Sequence, residues 1–348
     1  MWMGLTTADW IAMAVMAALF LFVGVSGVFG PKPAPSAPVP KRRPEEPAAK
    51  PAAEIPKLDF EENEEVDPTK VGPSIAKMPA HVPTKRIVYD EDAETDEPTQ
   101  STAMFLLTAT AQTDKGLRRK RNEDSLLAMK DASVYVVADG MGGYMGGEIA
   151  SSLAVKTMEE AFTSGVFKGP KHESIPARAS ELARAIQMAN EAILARAGED
   201  KQLEGMGTTM CAARFSANKE RLYVGHVGDS RMYRLRGGEL RQMTSDHTMK
   251  DLGVEGAGAA HLSRAVGVWP QVPVDILLAK PEPGDTYLLC SDGLTKMVSD
   301  EAIADVLKSD AAPSGIVDKL IEVANERGGK DNITVIVIRV ESLKKNGA

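Results

Sequence analysis

A short run of β-branched and aromatic residues, from Val134 to Ala138, predicts a buried strand that stops at an Asp-Gly pair and opens into further glycines. Glycine has no Cβ, so Gly140 can turn its carbonyl into the same space as the Asp139 carboxylate. A hard divalent cation accepts both kinds of oxygen as ligands. A single Asp-Gly pair after a strand is also typical of a hairpin turn, so this pattern alone leaves both interpretations open.

The same arrangement recurs along the chain. Apolar, strand-like runs precede Asp229 and Asp292, and Asp331 stands just before the apolar run 333–340. If the three strands that end near an aspartate are antiparallel to the strand that follows Asp331, all four carboxylates meet at one edge of the sheets. Clustered carboxylates repel each other unless cations hold them together. The pattern therefore predicts a site for two or more divalent metal ions.

Strand-like and helical periodicities occur in blocks rather than in strict alternation. We predict strands at 104–110, 210–215, 221–227 and 232–236, and helices at 148–162, 176–197, 299–308 and 314–327. The Gly- and Ala-rich stretch 249–261 is typical of a mobile loop. Strands grouped in meanders, with helix pairs between the groups, favour antiparallel sheets covered by helices, which is an α+β layered domain.

An uncharged apolar stretch lies near the start of the chain. Residues 10–31 carry no charged side chain and are about as long as one membrane-spanning helix. A cleavable signal peptide is the alternative, but Asp9 stands where such a peptide has positive charge, whereas basic residues follow the stretch at 32–43. We therefore predict a short segment 1–9, then a transmembrane anchor over 10–31 in the inner or plasma membrane. The positive-inside rule places the C-terminal side in the cytoplasm, as a single-pass protein.

Residues 32–103 have the composition of a linker. Fourteen of the chain's 21 prolines lie between residues 31 and 103, and two acidic runs follow the proline-rich part. Such a stretch buries too little apolar surface to offset chain entropy, so we predict a disordered tether. Thr95 and Thr99 are candidate phosphorylation sites in an acidic context, with an unmodified, solvated linker as the alternative. The globular domain is then 104–341, followed by a tail at 342–348.

Composition excludes several classes of function. A formal net charge of −8 argues against a nucleic-acid partner, since phosphate backbones require a basic face. The two cysteines, Cys211 and Cys290, lie in apolar stretches where buried, reduced thiols are usual. Neither begins the Cys-x5-Arg loop of cysteine-dependent phosphatases, because Ala217 and Lys296 stand at the arginine positions. The sequence therefore argues against a thiol-phosphate mechanism.

Five segments together resemble those of the type-2C metal-dependent protein serine/threonine phosphatases, the PPM family, and most of all its bacterial branch. They are Arg-Lys-Arg-Asn-Glu-Asp at 119–124, Asp-Gly-Met-Gly-Gly at 139–143, Gly-Thr-Thr at 207–209, Val-Gly-Asp-Ser-Arg at 227–231 with Thr-Ser-Asp-His at 244–247, and Ser-Asp-Gly-Leu at 291–294 with Asp-Asn-Ile-Thr at 331–334. All occur in the family's order. The resemblance implies a four-layer α/β/β/α sandwich, in which helices flank two antiparallel sheets, with two to three Mn²⁺ or Mg²⁺ ions at one end.

The resemblance also implies a role for each motif residue. The implied metal ligands are Asp139, Gly140, Asp229, Asp292 and Asp331, with Asp139 bridging two ions and Asp229 holding a third, weaker one. Asp124 would orient a metal-bound water. Arg119, five residues before Asp124, would bind the phosphate, since its guanidinium matches two phosphate oxygens.

The implied activity is hydrolysis of phosphoserine and phosphothreonine in proteins by attack of a metal-bridging water, in opposition to a serine/threonine kinase. The acid that protonates the leaving group is open. Bacterial relatives often have His where this chain has Tyr144, and His247 is the other candidate, with a structural histidine beside Asp246 as the alternative. A catalytically weak or silent phosphoprotein-binding module of the same fold is the alternative function. The presence of all five ligand residues favours an active enzyme.

Overall fold

The computed structural model describes residues 86–90, 102–143, 145–256 and 258–343. In these ranges the strands are β1 (Arg86–Tyr89), β2 (Phe105–Asp114), β3 (Asp124–Met129), β4 (Val134–Met141), β5 (Gly207–Thr208), β6 (Met210–Phe215), β7 (Leu222–Val227), β8 (Arg231–Arg236), β9 (Glu239–Gln242), β10 (Asp275–Ala279), β11 (Thr286–Cys290) and β12 (Ile333–Ser342). The α-helices are α1 (Gly146–Ser164), α2 (Ala177–Glu199), α3 (Asp292–Thr295), α4 (Asp300–Leu307) and α5 (Pro313–Glu326).

Among the described residues, the first sheet has seven strands in the order β1-β10-β7-β6-β4-β3, with β5 paired to β4 outside this path. Its neighbours are antiparallel except for β1 and β10, which are parallel. Strand β1 lies inside the stretch predicted to be a disordered linker, so that prediction is wrong for Arg86–Tyr89. A run of four residues is too short to show a periodicity of hydrophobic and polar positions. They are ordered because the edge of β10 offers its backbone groups for pairing.

The second sheet has five strands, all antiparallel, in the order β2-β12-β11-β8-β9. Strand β2 continues past its predicted end at Thr110, because it pairs with β12 along the whole ladder from Asp114 to Phe105. Strands β11 and β12 are antiparallel, as the strand-end hypothesis requires. The carboxyl end of β11 and the amino end of β12 therefore lie together.

Three apolar layers separate the helices and sheets. Helices α1 and α2 pack on the first sheet through side chains such as Leu182 and Ile186. Between the sheets, Phe215 meets Tyr287 edge to face, with ring centroids 5.9 Å apart. Helices α4 and α5 cover the second sheet with residues such as Leu320. The α/β/β/α sandwich expected from the sequence is confirmed.

The helix ends follow local sequence signals. The Ser299 hydroxyl accepts a hydrogen bond from the Ala302 amide and caps α4, as predicted. Helix α5 begins at Pro313, where a missing amide hydrogen costs nothing, and ends before Gly328. Helix α3 was not predicted, because the sequence around Asp292 was interpreted only as the end of a strand.

Several predictions fall outside the described residues. These are the anchor at 10–31, most of the linker, Tyr144 and the tail from residue 344 onward. In the part of the chain that the structure describes, no helix is both long enough and apolar enough to cross a membrane.

Candidate active site

The aspartates at the strand ends lie at one end of the sandwich. Asp124 begins β3 and stands opposite Asp139 in the register of β3 and β4. Burial raises the pKa of Asp139 well above its usual range, and the charges of four neighbouring carboxylates, those of Asp124, Asp292, Asp229 and Asp331, raise it further. Contacts place these carboxylates near one another: Lys296 reaches both Asp292 and Asp331, and Asp229 and Asp292 line the same groove.

Glycines allow the backbone to converge at Asp139. The Gly140 amide donates a hydrogen bond to the Glu123 carbonyl at 3.0 Å. A Cβ on Gly140 would overlap the carbonyl oxygen of Gly147 at the start of α1, and a Cβ on Gly293 would overlap the Asn332 carbonyl. Only glycine fits at these two positions, so both Asp-Gly pairs are needed for packing of the backbone beside the carboxylates.

Two threonines fix the backbone at the end of β4. The Asp139 amide donates to the Thr209 hydroxyl at 3.0 Å, and the Thr208 hydroxyl donates to the Asp139 carbonyl at 2.8 Å. The Thr209 hydroxyl also contacts that of Ser230, beside Asp229, at 2.7 Å. The Gly-Thr-Thr motif thus connects the two sheet positions that carry Asp139 and Asp229.

Asp124 is a buried carboxylate whose two oxygens differ in their hydrogen bonding. Its Oδ2 accepts hydrogen bonds from the hydroxyls of Ser291 and Thr334, each at 2.7 Å. Its Oδ1 is buried and finds no hydrogen-bond partner among the described residues. Burial raises the pKa of Asp124 to about 6, against the lowering effect of the two hydroxyls. Sequence reasoning missed Ser291 and Thr334, although both belong to the motifs that contain Asp292 and Asp331.

Arg119 is the member of the basic cluster that reaches these carboxylates. Its Nε lies 2.8 Å from Oδ1 of Asp331, and its Nη2 donates to Oδ2 at 2.9 Å. Arg121 instead contacts Glu148 at 3.3 Å on the surface. The arginine selected through the family resemblance is thus the one that the fold places beside a predicted metal ligand. Glu123, which sequence reasoning did not select, lies near Arg119 and has its pKa raised by burial.

Asp229 opens onto a groove beside the cluster. The groove has a volume of about 790 Å³ and is lined by Asp229, Asp292, Lys296 and the segment around Asp246, among others. Burial and the charge of Asp292 raise the pKa of Asp229 to about 7. The predicted loop 249–261 forms part of the groove wall, with a 3-10 turn at Lys250–Leu252.

His247 is buried, and the fold uses both of its ring nitrogens. Nδ1 accepts a hydrogen bond from the Gly228 amide at 3.1 Å, so Nε2 carries the proton and donates to Asp275 at 3.1 Å. Asp246, its neighbour in sequence, pairs with Arg231 at 2.7 Å instead. This is the geometry of a structural histidine, but with a different carboxylate from the one the sequence suggested.

The carboxylate cluster fits divalent cations. Oδ1 of Asp124 and Oδ1 of Asp292 are both buried and without a hydrogen-bond partner among the described residues. In those residues no three acidic, imidazole or thiol side chains form a ready-made coordination sphere. Arg119 is ion-paired with Asp331 and Lys296 with Asp292, and the expected ligand at Gly140 is a backbone carbonyl. Carboxylate and carbonyl oxygens are ligands that Mg²⁺ and Mn²⁺ prefer.

Comparison with known proteins identifies the family. The family model described as protein phosphatase 2C matches residues 116–334. The serine/threonine phosphatase Stp of Listeria welshimeri is 36% identical over 250 residues, covering 67% of this chain and 96% of that protein. The phosphatase PstP of Mycobacterium tuberculosis is 38% identical over 248 residues, covering 68% of this chain and 45% of that protein.

Solved structures show the same fold. The catalytic domain of PstP in complex with two manganese ions superposes with a TM-score of 0.59 at 37% identity, covering 68% of this chain and all of that one (100%). The phosphatase Stp1 of Staphylococcus aureus gives a TM-score of 0.62 at 26% identity, covering 71% of this chain and 100% of that one. The chain belongs to the protein phosphatase 2C family, in its bacterial PPM branch. It is a hydrolase, a protein serine/threonine phosphatase that depends on divalent metal ions.

Proposed function

We propose that two to three Mn²⁺ or Mg²⁺ ions bind to this cluster and that the enzyme removes phosphate from serine and threonine side chains of proteins at a membrane surface. The proposed ligands are Asp139, the Gly140 carbonyl, Asp229, Asp292 and Asp331. The observation that carries the proposal is a pair of buried oxygens, one on Asp124 and one on Asp292, that have no hydrogen-bond partner in the described part of the chain. A cluster of buried carboxylates is costly unless cations compensate it, and oxygen ligands suit hard cations.

When bound, such ions acidify a water molecule for attack on phosphorus and neutralise charge on the phosphoryl oxygens. The side chains of the protein position the reactants. Arg119, which is ion-paired with Asp331, would bind two phosphate oxygens through its guanidinium. Asp124, whose Oδ2 is held by Ser291 and Thr334, keeps Oδ1 free to accept a hydrogen bond from the attacking water.

His247 is not proposed as the acid that protonates the leaving group. Its Nδ1 is an acceptor of a backbone hydrogen bond and its Nε2 proton is donated to Asp275, so neither nitrogen is available to a substrate. Tyr144 stays a prediction from sequence. We propose that solvent in the open groove beside Asp229 and Asp292 supplies this proton.

The residue assignments are tested with a phosphopeptide and with metal removal. Stripping the enzyme with excess chelator should abolish phosphate release, and Mn²⁺ or Mg²⁺ should restore it. Asp124→Asn keeps the shape of the side chain but changes its hydrogen bonding, so it should retain metal binding while lowering kcat. The silent-module alternative predicts phosphopeptide binding without phosphate release, and undiminished turnover in chelator would refute the metal assignment.

We propose further that the anchor at 10–31 tethers the enzyme to the inner or plasma membrane with its catalytic domain in the cytoplasm, where it opposes a serine/threonine kinase. Support comes from the uncharged stretch and from the basic residues that follow it at 32–43. Protease added outside intact cells should leave the domain intact, and digestion there would contradict the cytoplasmic assignment. Comparing the phosphoproteomes of cells with and without the protein tests the kinase relationship.

A further inference from the structure

Lys296 places an ammonium group against the carboxylate cluster. It follows α3 directly, four residues after Asp292, and this spacing puts the two side chains on the same face of the helical turn. Its Nζ forms an ion pair with Oδ2 of Asp292 and lies 3.9 Å from Oδ2 of Asp331. One amino group therefore contacts two of the five proposed ligand residues.

The ammonium group lies on the side of the cluster that faces the groove. Lys296 lines the groove together with Asp229 and Asp292. Arg119, the other cation of the cluster, contacts Asp331 through its guanidinium. Arg119 and Lys296 thus both approach Asp331, but only Lys296 is ion-paired with Asp292. Phosphate binding is proposed for Arg119 alone.

We infer that Lys296 is a built-in cation of the metal centre, which competes with a divalent ion for the space between Asp229 and Asp292 and so limits how many ions the enzyme binds. The inference rests on the proposed function, because it needs the carboxylates to be metal ligands. The physical reason is charge repulsion. A single positive charge about 6 Å from a divalent ion weakens its binding roughly tenfold even at the dielectric constant of water. Because Nζ contacts Asp292 and lies 3.9 Å from Oδ2 of Asp331, an ion held by these carboxylates would lie within this range.

The experiment counts metal ions. Full-length protein in detergent micelles is stripped with chelator, dialysed against a series of Mn²⁺ concentrations at physiological salt, and analysed for bound manganese per chain. The variants are Lys296→Gln, Lys296→Met as a second neutral substitution, and Lys296→Arg, which keeps the charge. Lys250→Gln is the matched control, since Lys250 lines the same groove and is not ion-paired to the proposed ligands in the described part of the chain. Thermal melting checks that each variant is folded.

Both neutral variants should bind about one more Mn²⁺ per chain than the wild type, or bind their weakest ion roughly tenfold more tightly. Lys296→Arg and Lys250→Gln should match the wild type. Identical binding curves for the wild type and both neutral variants would overturn the inference, and so would an equal gain in Lys250→Gln. Weaker binding in the neutral variants would also overturn it, because the lysine would then assist the metal. If no folded protein binds Mn²⁺ at all, the proposed function fails instead.

Discussion

The carboxylate of Asp90 forms an ion pair with Arg234 on β8, and a second one with Arg241 on β9 at 2.9 Å. Asp90 follows β1, which pairs with β10 of the other sheet. Asp90 and Arg234 are largely buried, with side-chain exposures of 7% and 12%. A segment that precedes the predicted domain boundary therefore bridges the edges of both sheets. The stable catalytic unit includes Arg86–Asp90.

The first prediction concerns this bridge. From the sequence, a fragment that starts near residue 100 is expected to be soluble and active, but it lacks β1. A fragment that starts at residue 84 should be more stable in urea unfolding.

In that longer fragment, Asp90→Ala should lower the free energy of unfolding by about 3 kcal/mol, because it leaves the largely buried Arg234 without a partner. Arg241→Ala should cost less than about 1 kcal/mol, since Arg241 is half exposed and Arg234 keeps its partner. Equal effects of the two substitutions would contradict this prediction.

The second prediction orders the metal ligands. Asp139→Ala should be the most damaging of the ligand substitutions, because it removes the carboxylate that lies among all the others. Asp229→Ala should leave the tightest ions bound and impair turnover, because Asp229 borders the groove at the rim of the cluster. Calorimetric titration with Mn²⁺, alongside phosphopeptide kinetics, checks the order. Loss of the tight sites in Asp229→Ala would reverse it.

The third prediction separates Arg119 from its basic neighbours. A hydrogen bond to a charged group contributes about 1.5–3 kcal/mol, so Arg119→Ala should lower kcat/KM for a phosphopeptide by roughly one to two orders of magnitude. Arg119→Lys should recover only part of the lost kcat/KM, because lysine restores the positive charge but not the paired N–H donors of the guanidinium. Arg118→Ala, an exposed control, should change kcat/KM by less than about threefold. If Arg118→Ala or Arg121→Ala is as harmful as Arg119→Ala, the phosphate clamp is assigned to the wrong arginine.

The fourth prediction uses His226, a buried histidine outside the cluster. Burial lowers the pKa of His226 to about 3, against an ordinary value of 6.5, and its Nε2 donates to the Ser230 carbonyl at 2.9 Å. Above pH 6.5 the side chain is neutral in the folded and the unfolded chain, so it does not change the free energy of unfolding as the pH varies. Between pH 6.5 and pH 3 only the unfolded chain binds the proton, so stability is lost as the pH falls through this window.

Denaturant titrations at several pH values test whether stability falls as the pH falls. Between pH 7 and pH 5, His226 should account for a loss of about 2 kcal/mol in the free energy of unfolding. His226→Gln should show a correspondingly smaller loss over the same range, whatever its stability at pH 7. His261→Gln, which changes an exposed histidine, should keep the wild-type pH dependence. Parallel curves for the wild type and His226→Gln would show that His226 is not the titrating group.

Local patterns in the sequence were enough to predict the main elements and the candidate ligands. Strand β4 and the cap at Ser299 depend on β-propensity and on a side chain that bonds to a backbone amide three residues away. The aspartates could be selected because each lies next to an apolar strand, and a strand end is itself a local feature. Arg119 was selected through the resemblance to the PPM motif, in which it stands five residues before Asp124.

Only the tertiary structure decided which groups meet across the fold. The hydroxyls on Asp124 come from Ser291 and Thr334, more than 160 positions away in sequence, and they meet it because two sheets pack in one particular register. The same holds for His247, whose partner is Asp275 rather than the adjacent Asp246. Sequence patterns report the conformational preferences of neighbouring residues, whereas contacts of this kind depend on strand register and on how the sheets pack. Strand β1 and the position of Lys296 beside the cluster belong to this second group for the same reason.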